Sequence, residues 1–431
     1  MVTVDLDMPE FVDVVGIGAD GWEGLAPRAR RAVASAEVLF GSSRQLDLVP
    51  EPAGRRVAWP SPLLPALPGL LAEHAGRSIC VLASGDPMFY GIGATLVRLL
   101  GPDRLRVLPH PSSLSLACAR MGWPVQETAV VSLVGRPVEL LHPAVQPDNR
   151  VLVLSADGAT PAAVAALLTA RGYGASELTV LADLGGEREE RISGSAATWD
   201  RPGTGALNVV AVRCRAEPSA AHLPRVPGLP DDAFEHDGQL TKRDVRASTL
   251  ARLAPAPGQL LWDVGAGAGS IAIEWMRGDP ANRAIAVEHR EDRAARIARN
   301  ATALGVPGLR VVTGAAPRAL AGLETPDAIF VGGGATAPGV LETCWDALAP
   351  GGRLVVNAVT MESEVLVADR YGALGGELVR ISVDHASPVG GFTGWRPSMR
   401  VTQWAVRKPA QDRPPDREGA CGQRPTTEEQ R

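Results

Sequence analysis

Several absences narrow the class of this 431-residue chain before any motif is read. Paired cysteines are missing: Cys80, Cys118, Cys214, Cys344 and Cys421 are widely scattered, odd in number and never spaced C-x-x-C. A disulfide framework or a zinc site is therefore not expected, and reduced thiols in a cytoplasmic protein fit better. An excess of positive charge is missing too; the formal net charge is −5, which argues against a general nucleic-acid binder. No stretch approaches the roughly 18 uninterrupted apolar residues of a membrane span. The opening MVTVDLDMPE is acidic and has no apolar signal core, so neither export nor a membrane partner is expected. There is also no His/Ser/Asp or metal-ligand constellation, so no metal is expected and no catalytic residue is assigned.

What is present is globular. Hydrophobic content of 45% and charged content of 21% suit a packed protein, and the length suggests two domains. The most informative stretch is GQLLWDVGAGAGSIAIEWMRGDPANRAIAVE, residues 258–288. Leu260, Leu261, Trp262 and Val264 have strand character and stop at Gly265, Gly267 and Gly269, with Ala266 and Ala268 between them. Ile271, Ile273, Trp275 and Met276 then follow helical spacing. Glycine allows close backbone approach and positive φ, and a helix start offers unpaired N–H groups. A second strand ends in Glu288, 23 residues after Gly265, the distance at which an acid can hold ribose hydroxyls. A dinucleotide fingerprint would need glycine where Ser270 stands. The G-x-G-x-G form is instead that of S-adenosylmethionine methyltransferases, in which Asp263 would suit the ammonium of the methionyl part. A glycine turn that only packs a helix on a sheet is the plainer alternative.

In the first half, FVDVVGIG (11–18), Ile79–Ala83 and Leu105–Leu108 read as strands, each running into a polar or glycine-bearing loop. Further strands are expected at Ala129–Val134, Arg150–Leu154, Leu178–Leu184 and Leu207–Val212. Strands alternating with helices give an α/β class with parallel sheet segments, whose ligands sit at strand carboxyl ends. Asp86 in SGDPMFYG either lies in a tight bend or caps a helix beginning near Met88. Ser112 and Ser113 are helix caps or pocket hydroxyls.

VGIGADG (15–21), SGDPMFYGIG (84–93) and HPSSLSLACARMGW (110–123) resemble the tetrapyrrole methylase family, and within it the cobalamin-pathway branch that methylates C5 of a precorrin ring. The resemblance implies two α/β subdomains with S-adenosylmethionine in the cleft between them, lined by Gly16, Gly18, Ser84, Gly85, Asp86, Ser112 and Ser113. SLVGRP (132–137) departs from the pattern, since a histidine is expected near Val134.

Residues 214–230 hold four prolines and no periodicity, and are expected to connect the domains. A helix should follow, with Thr241 as N-cap and Asp244 completing a capping-box-like pair. TKRDVR, DVGAG, PDAIFVGGG, GGRLVVNAVT and GWRPSM occur in the order of the C-terminal domain of the precorrin-6Y methyltransferase (decarboxylating) family, which they closely resemble. Ala268 stands where cysteine is often seen. The resemblance implies that Thr241 touches the cofactor, that the backbone of Ala316 lies at the adenine, and that Gly332–Gly334 leave room beside the methyl group. Glu377–Val383 and Met399–Val406 could close the sheet as a hairpin, and the glycine-rich 388–397 segment between them is a candidate lid or a surface hairpin. From residue 409 to 431 a polar, proline-bearing disordered tail is expected.

The expected architecture is thus α/β: a tetrapyrrole methylase fold at 11–213, a connection at 214–230, and a Rossmann-like class I methyltransferase domain at 231–408. Two S-adenosyl-L-methionine sites and a tetrapyrrole substrate follow from the resemblance, in a protein expected to be a homo-oligomer. Arginine clamps suit a substrate rich in carboxylates, with Arg243, Arg246 and Arg396 as candidates. The expected reaction is methylation of precorrin-6B (6Y) at C5 and C15 with decarboxylation of the ring C acetate. A cobalt-containing equivalent, a chain with one active half, a tetrapyrrole-binding module and a nicotinamide-dependent oxidoreductase stand as alternatives.

Overall fold

The computed structural model describes residues 11–51, 54–201 and 203–410. The chain divides into two compact units, with the break between His222 and Leu223.

In the first unit, strands β1 (Val12–Ile17), β2 (Val38–Gly41), β3 (Arg55–Ala58), β4 (Ile79–Ser84) and β5 (Leu105–Leu108) form a wholly parallel sheet in the order β3-β2-β4-β1-β5. Its central strands are apolar at nearly every position because both faces are covered. Val15, Leu39 and Leu82 pack on one side, and Val14, Phe40 and Val81 on the other. Since β1 lies between β4 and β5, the three loops leaving their carboxyl ends meet. Gly85 N donates to Ile17 O at 3.0 Å and His110 N to Gly85 O at 3.3 Å.

A second sheet contains β6 (Ala129–Ser132), β7 (Arg150–Leu154), β8 (Glu177–Ala182), β9 (Glu190–Ser195) and β10 (Asn208–Arg213), ordered β6-β7-β10-β8-β9. The expected parallel segments hold here only for β6 and β7; the other pairs are antiparallel. The short link from β8 to β9 leaves no room for a crossover helix and so forces a hairpin.

The second unit has one seven-stranded sheet. Its strands are β11 (Leu260–Val264), β12 (Arg283–Glu288), β13 (Arg310–Thr313), β14 (Ala328–Val331), β15 (Arg353–Ala358) and β16 (Glu377–Ile381). A separate hairpin, β17 (Asp384–Val389) with β18 (Phe392–Pro397), precedes the last strand, β19 (Val401–Arg407). The order is β13-β12-β11-β14-β15-β19-β16, parallel as far as β15, with β19 antiparallel to both its neighbours. Strand order reverses on either side of β11, so a crevice opens at the carboxyl ends of β11 and β14.

The proline-bearing connection is not wholly a free tether. Leu223 and Leu229 are buried in the second unit's core, and the amides of Gly228 and Leu229 donate to Glu274 at 2.6 and 3.0 Å. Thr241 is not the helix cap: the helix runs Arg243–Leu253 and Lys242 is its N-cap, without a side-chain bond. Asp86 does not cap a helix either. It accepts the Met88 amide at 2.9 Å in a local turn, and the helix begins only at Ile92. Cys80, Cys118, Cys214 and Cys344 are free and buried. Among the described residues no helix is long and apolar enough to cross a membrane. The tail expected at 409–431 lies, from residue 411 on, outside the described residues.

Candidate functional site

The crevice of the second unit is a cavity of about 720 Å³. Thr241, Gly265, Ala266, Gly267, Glu288 and Ala316 line it, which brings together residues from four separate segments. The three glycines of the β11 turn all have left-handed φ, +70° at Gly265, +60° at Gly267 and +78° at Gly269. Each also meets a close neighbour. A Cβ on Gly265 would stand 2.6 Å from Gly333 O, one on Gly267 2.9 Å from Gln239 O, and one on Gly269 2.7 Å from the Ile297 side chain. Gly269 is thereby the N-cap of the helix Ser270–Gly278 rather than a wall of the cavity.

Glu288 ends β12 with its carboxylate between two amides. Gly267 N donates to Oε2 at 2.9 Å and Arg290 N to Oε1 at 3.0 Å. Asp263 and Ala268 lie beneath the turn, each 1% exposed. The Ala272 amide donates to Asp263 Oδ2 at 3.1 Å, while Oδ1 has no hydrogen-bond partner among the described residues. Burial, opposed by the Ala272 bond and helped by the nearby Glu288, pushes the Asp263 carboxyl up to about 7. Its one hydrogen bond ties the strand to the first turn of the helix Ser270–Gly278.

The three arginine candidates separate. Arg246 is fully buried, donating to Glu274 at 2.6 Å and to Asp231 at 3.1 Å and lying 4.8 Å from the Phe234 ring centroid. It cannot reach a ligand in the cavity, so its expected role as a substrate clamp is corrected to a structural one. Arg243 is exposed beside a smaller adjoining recess with Lys242, Asp231 and His385. Arg396 stands exposed on β18.

Other cavity residues escape sequence reading: Gln239, His289, Arg293, Asn357, His385 and Met399. Asn357 carried a signal, being a polar residue near the carboxyl end of an apolar strand. Its Oδ1 accepts from Gln403 at 2.8 Å and its Nδ2 donates to Thr249 at 3.1 Å. Arg293 donates to Asp237 at 2.9 Å and holds that carboxyl well below its ordinary range. His385 lies on β17, where nothing local in the sequence marks it, and Met399 follows β18 as the last residue of GWRPSM.

In the first unit, the loops meet tightly. A Cβ on Gly16 would stand 1.9 Å from Gly85 O, and one on Gly18 2.7 Å from His110 Nε2. Ser84 accepts from Arg44 at 2.8 Å and from Gln45 at 3.0 Å. Ser112 is the N-cap of the helix Ser113–Met121, accepting the Ser115 amide at 3.1 Å, and Ser113 opens that helix. A pair not anticipated from sequence sits at this junction: His110 Nε2 lies 3.2 Å from Asp20 Oδ1.

Comparison with known proteins accounts for both halves. A family profile described as tetrapyrrole (corrin/porphyrin) methylases matches residues 12–200, and one described as a precorrin methyltransferase domain matches 232–408. A precorrin-6Y C(5,15)-methyltransferase (decarboxylating) of Sinorhizobium sp is 49% identical over 399 residues, 92% of this chain and 96% of its own length. A protein of the same name from Mycobacterium tuberculosis (strain ATCC 25618 / H37Rv) is 50% identical over 403 residues, 92% of this chain and 100% of its own. The crystal structure of the C-terminal domain of precorrin-6Y C5,15-methyltransferase from Rhodobacter capsulatus aligns at 45% identity with TM-score 0.41, covering 43% of this chain and 100% of that one.

Proposed function

The chain belongs to the precorrin-6Y C5,15-methyltransferase (decarboxylating) family, and from that we propose that it methylates precorrin-6B (6Y) at C5 and C15 and releases CO2 from the ring C acetate, giving precorrin-8 in cobalamin biosynthesis. It is a methyltransferase of the S-adenosylmethionine-dependent kind, which removes the nicotinamide-dependent alternative. The finer reading is two donor sites, one per unit, with C5 chemistry in the first unit and C15 chemistry with decarboxylation in the second. One observation carries it: each unit gathers its own glycine loops at parallel strand ends, around Gly16 and Gly85 in one and Gly265 and Gly267 in the other.

The second-unit residues fit a nucleoside ligand. The cavity lies within the roughly 300–1,000 Å³ of small-molecule sites. Side-chain-free backbone at Gly265 and Gly267 borders it, and the Glu288 carboxylate stands at its edge to accept the two ribose hydroxyls. Thr241 and the backbone of Ala316 close the adenine side. When bound, S-adenosylmethionine supplies an electrophilic methyl group. The protein's part is alignment and exclusion of water, which together can contribute several kcal/mol. A Cβ on Gly334 would have nothing within 4 Å, so this wall gives a broad flat substrate access to the reacting methyl. The conjugated macrocycle supplies the nucleophilic carbon and takes up the electron pair left when CO2 departs, so the chain needs no strong base.

Incubation with precorrin-6B and labelled S-adenosylmethionine, read by mass spectrometry, tests the reading. Gain of two methyl groups with loss of CO2 is expected. Gain of one methyl would leave a chain with a single active half, and turnover only of the cobalt-loaded substrate would assign the cobalt-containing equivalent.

A further inference from the structure

The β17–β18 hairpin has an unexplained composition. Val389, Phe392 and the adjoining Met399 are 62%, 84% and 72% exposed, an apolar set that a free surface does not call for. The strand register tells which way the two hairpin faces point. His385 pairs with Arg396, Ser387 with Gly394, and Val389 with Phe392. Directly opposed residues share a face, and the face alternates along each strand, so these three pairs lie on one side. The other side carries Ala386 with Trp395 and Pro388 with Thr393. His385 and Met399 line the second-unit cavity, so the first of these faces is the one continuous with it. Gly394 on that face leaves room for its neighbour, since a Cβ there would stand 2.9 Å from Val389 Cγ2.

We propose that this face of the hairpin is the substrate-recognition wall of the second unit. The His385–Arg396 rung takes a peripheral carboxylate of the tetrapyrrole, and Val389, Phe392 and Met399 lie against the apolar face of its ring. The occupant follows from continuity with the methyl-transfer cavity and from charge. A guanidinium opposite an imidazole, placed just before an apolar tip, matches a flat pigment fringed with carboxylates. Trp395, though 76% exposed, belongs to the outer face and has no part in recognition. The inference rests on the tetrapyrrole methyltransferase reading and assigns the specificity of that site to named residues.

The experiment uses the full chain with precorrin-6B and compares Arg396→Ala, Phe392→Ala and Trp395→Ala. KM and kcat for C15 methylation are measured alongside calorimetric affinity for S-adenosylhomocysteine. Loss of a charge-assisted hydrogen bond predicts a KM raised about tenfold or more for Arg396→Ala. Phe392→Ala should raise KM as well, Trp395→Ala should leave it unchanged, and nucleoside affinity should stay at the wild-type value in all three. Equal KM values for wild type, Arg396→Ala and Phe392→Ala would overturn the inference, as would an effect of Trp395→Ala matching that of Phe392→Ala. A wild-type protein that binds S-adenosylhomocysteine but does not methylate precorrin-6B would instead overturn the underlying reading.

Discussion

The Gly267 amide donates to Glu288 Oε2 at 2.9 Å, so the turn that ends one strand is pinned by the carboxylate that ends the next. The same carboxylate stands at the edge of the cavity, where ribose hydroxyls would compete for its free lone pairs. Glu288→Ala therefore loosens the turn and removes the acceptor together. Hydrogen bonds to a charged group contribute about 1.5–3 kcal/mol, which corresponds to roughly 10–100-fold in affinity. Calorimetry should show that loss for one S-adenosylhomocysteine site, and the product should keep the C5 methyl while losing the C15 methyl and CO2 release.

Arg246, on the helix Arg243–Leu253, and Glu274, on the helix Ser270–Gly278, form a buried ion pair at the point where the opening segment of the second unit packs down. Glu274 also accepts the amides of Gly228 and Leu229. Removing one partner of such a pair strands a buried charge, at a cost of about 3–5 kcal/mol. Arg246→Ala should lower stability by that order in urea melts while the folded fraction keeps its KM for the tetrapyrrole. A normal melt with a raised KM would return Arg246 to the role of substrate clamp.

This arginine also shows where sequence reading stops. Its charge and its place in TKRDVR suit a clamp, but its burial depends on Glu274, 28 residues further on, which no local pattern reveals. The strands Leu105–Leu108, Arg150–Leu154 and Ala328–Val331 were legible because their apolar runs end at turn residues. Val38–Gly41, Arg55–Ala58 and Glu190–Ser195 were not legible. The last two are edge strands whose polar residues face outward, so pairing alone defines them. In the candidate site, the glycine turn and Glu288 follow from spacing. His385, at the start of the hairpin, and Met399, just past its end, come together at the cavity only because the hairpin turns the chain back.

Asp263 gives a pH dependence with a definite sign. Burial raises its carboxyl from an ordinary 3.8 to about 7 in the folded protein. Between those values the folded state keeps a proton that the unfolded chain has released, so this group's contribution to stability falls as pH rises and is level above 7. Asp263→Asn stays neutral throughout. In ligand-free protein its melting temperature should exceed that of wild type most above pH 7, with the gap shrinking on acidification to pH 5. A constant gap would mean that Asp263 does not titrate in this window.

Gly16 is the corresponding test in the first unit. A Cβ there would stand 1.9 Å from Gly85 O and 2.6 Å from His110 N, both backbone atoms that cannot rotate away. Gly16→Ala should force the three loops apart, costing about 1–3 kcal/mol as overpacking does. The product should then carry the C15 methyl and lack the acetate carboxyl, without the C5 methyl. Retention of both methyls would separate this junction from C5 chemistry.

Titration of the intact chain with S-adenosylhomocysteine in a calorimeter goes most directly to the claim of paired donor sites. The account predicts two equivalents bound per chain, with one site weakened by Glu288→Ala and the other by Gly16→Ala. A single equivalent in the wild type, abolished by either substitution alone, would contradict it.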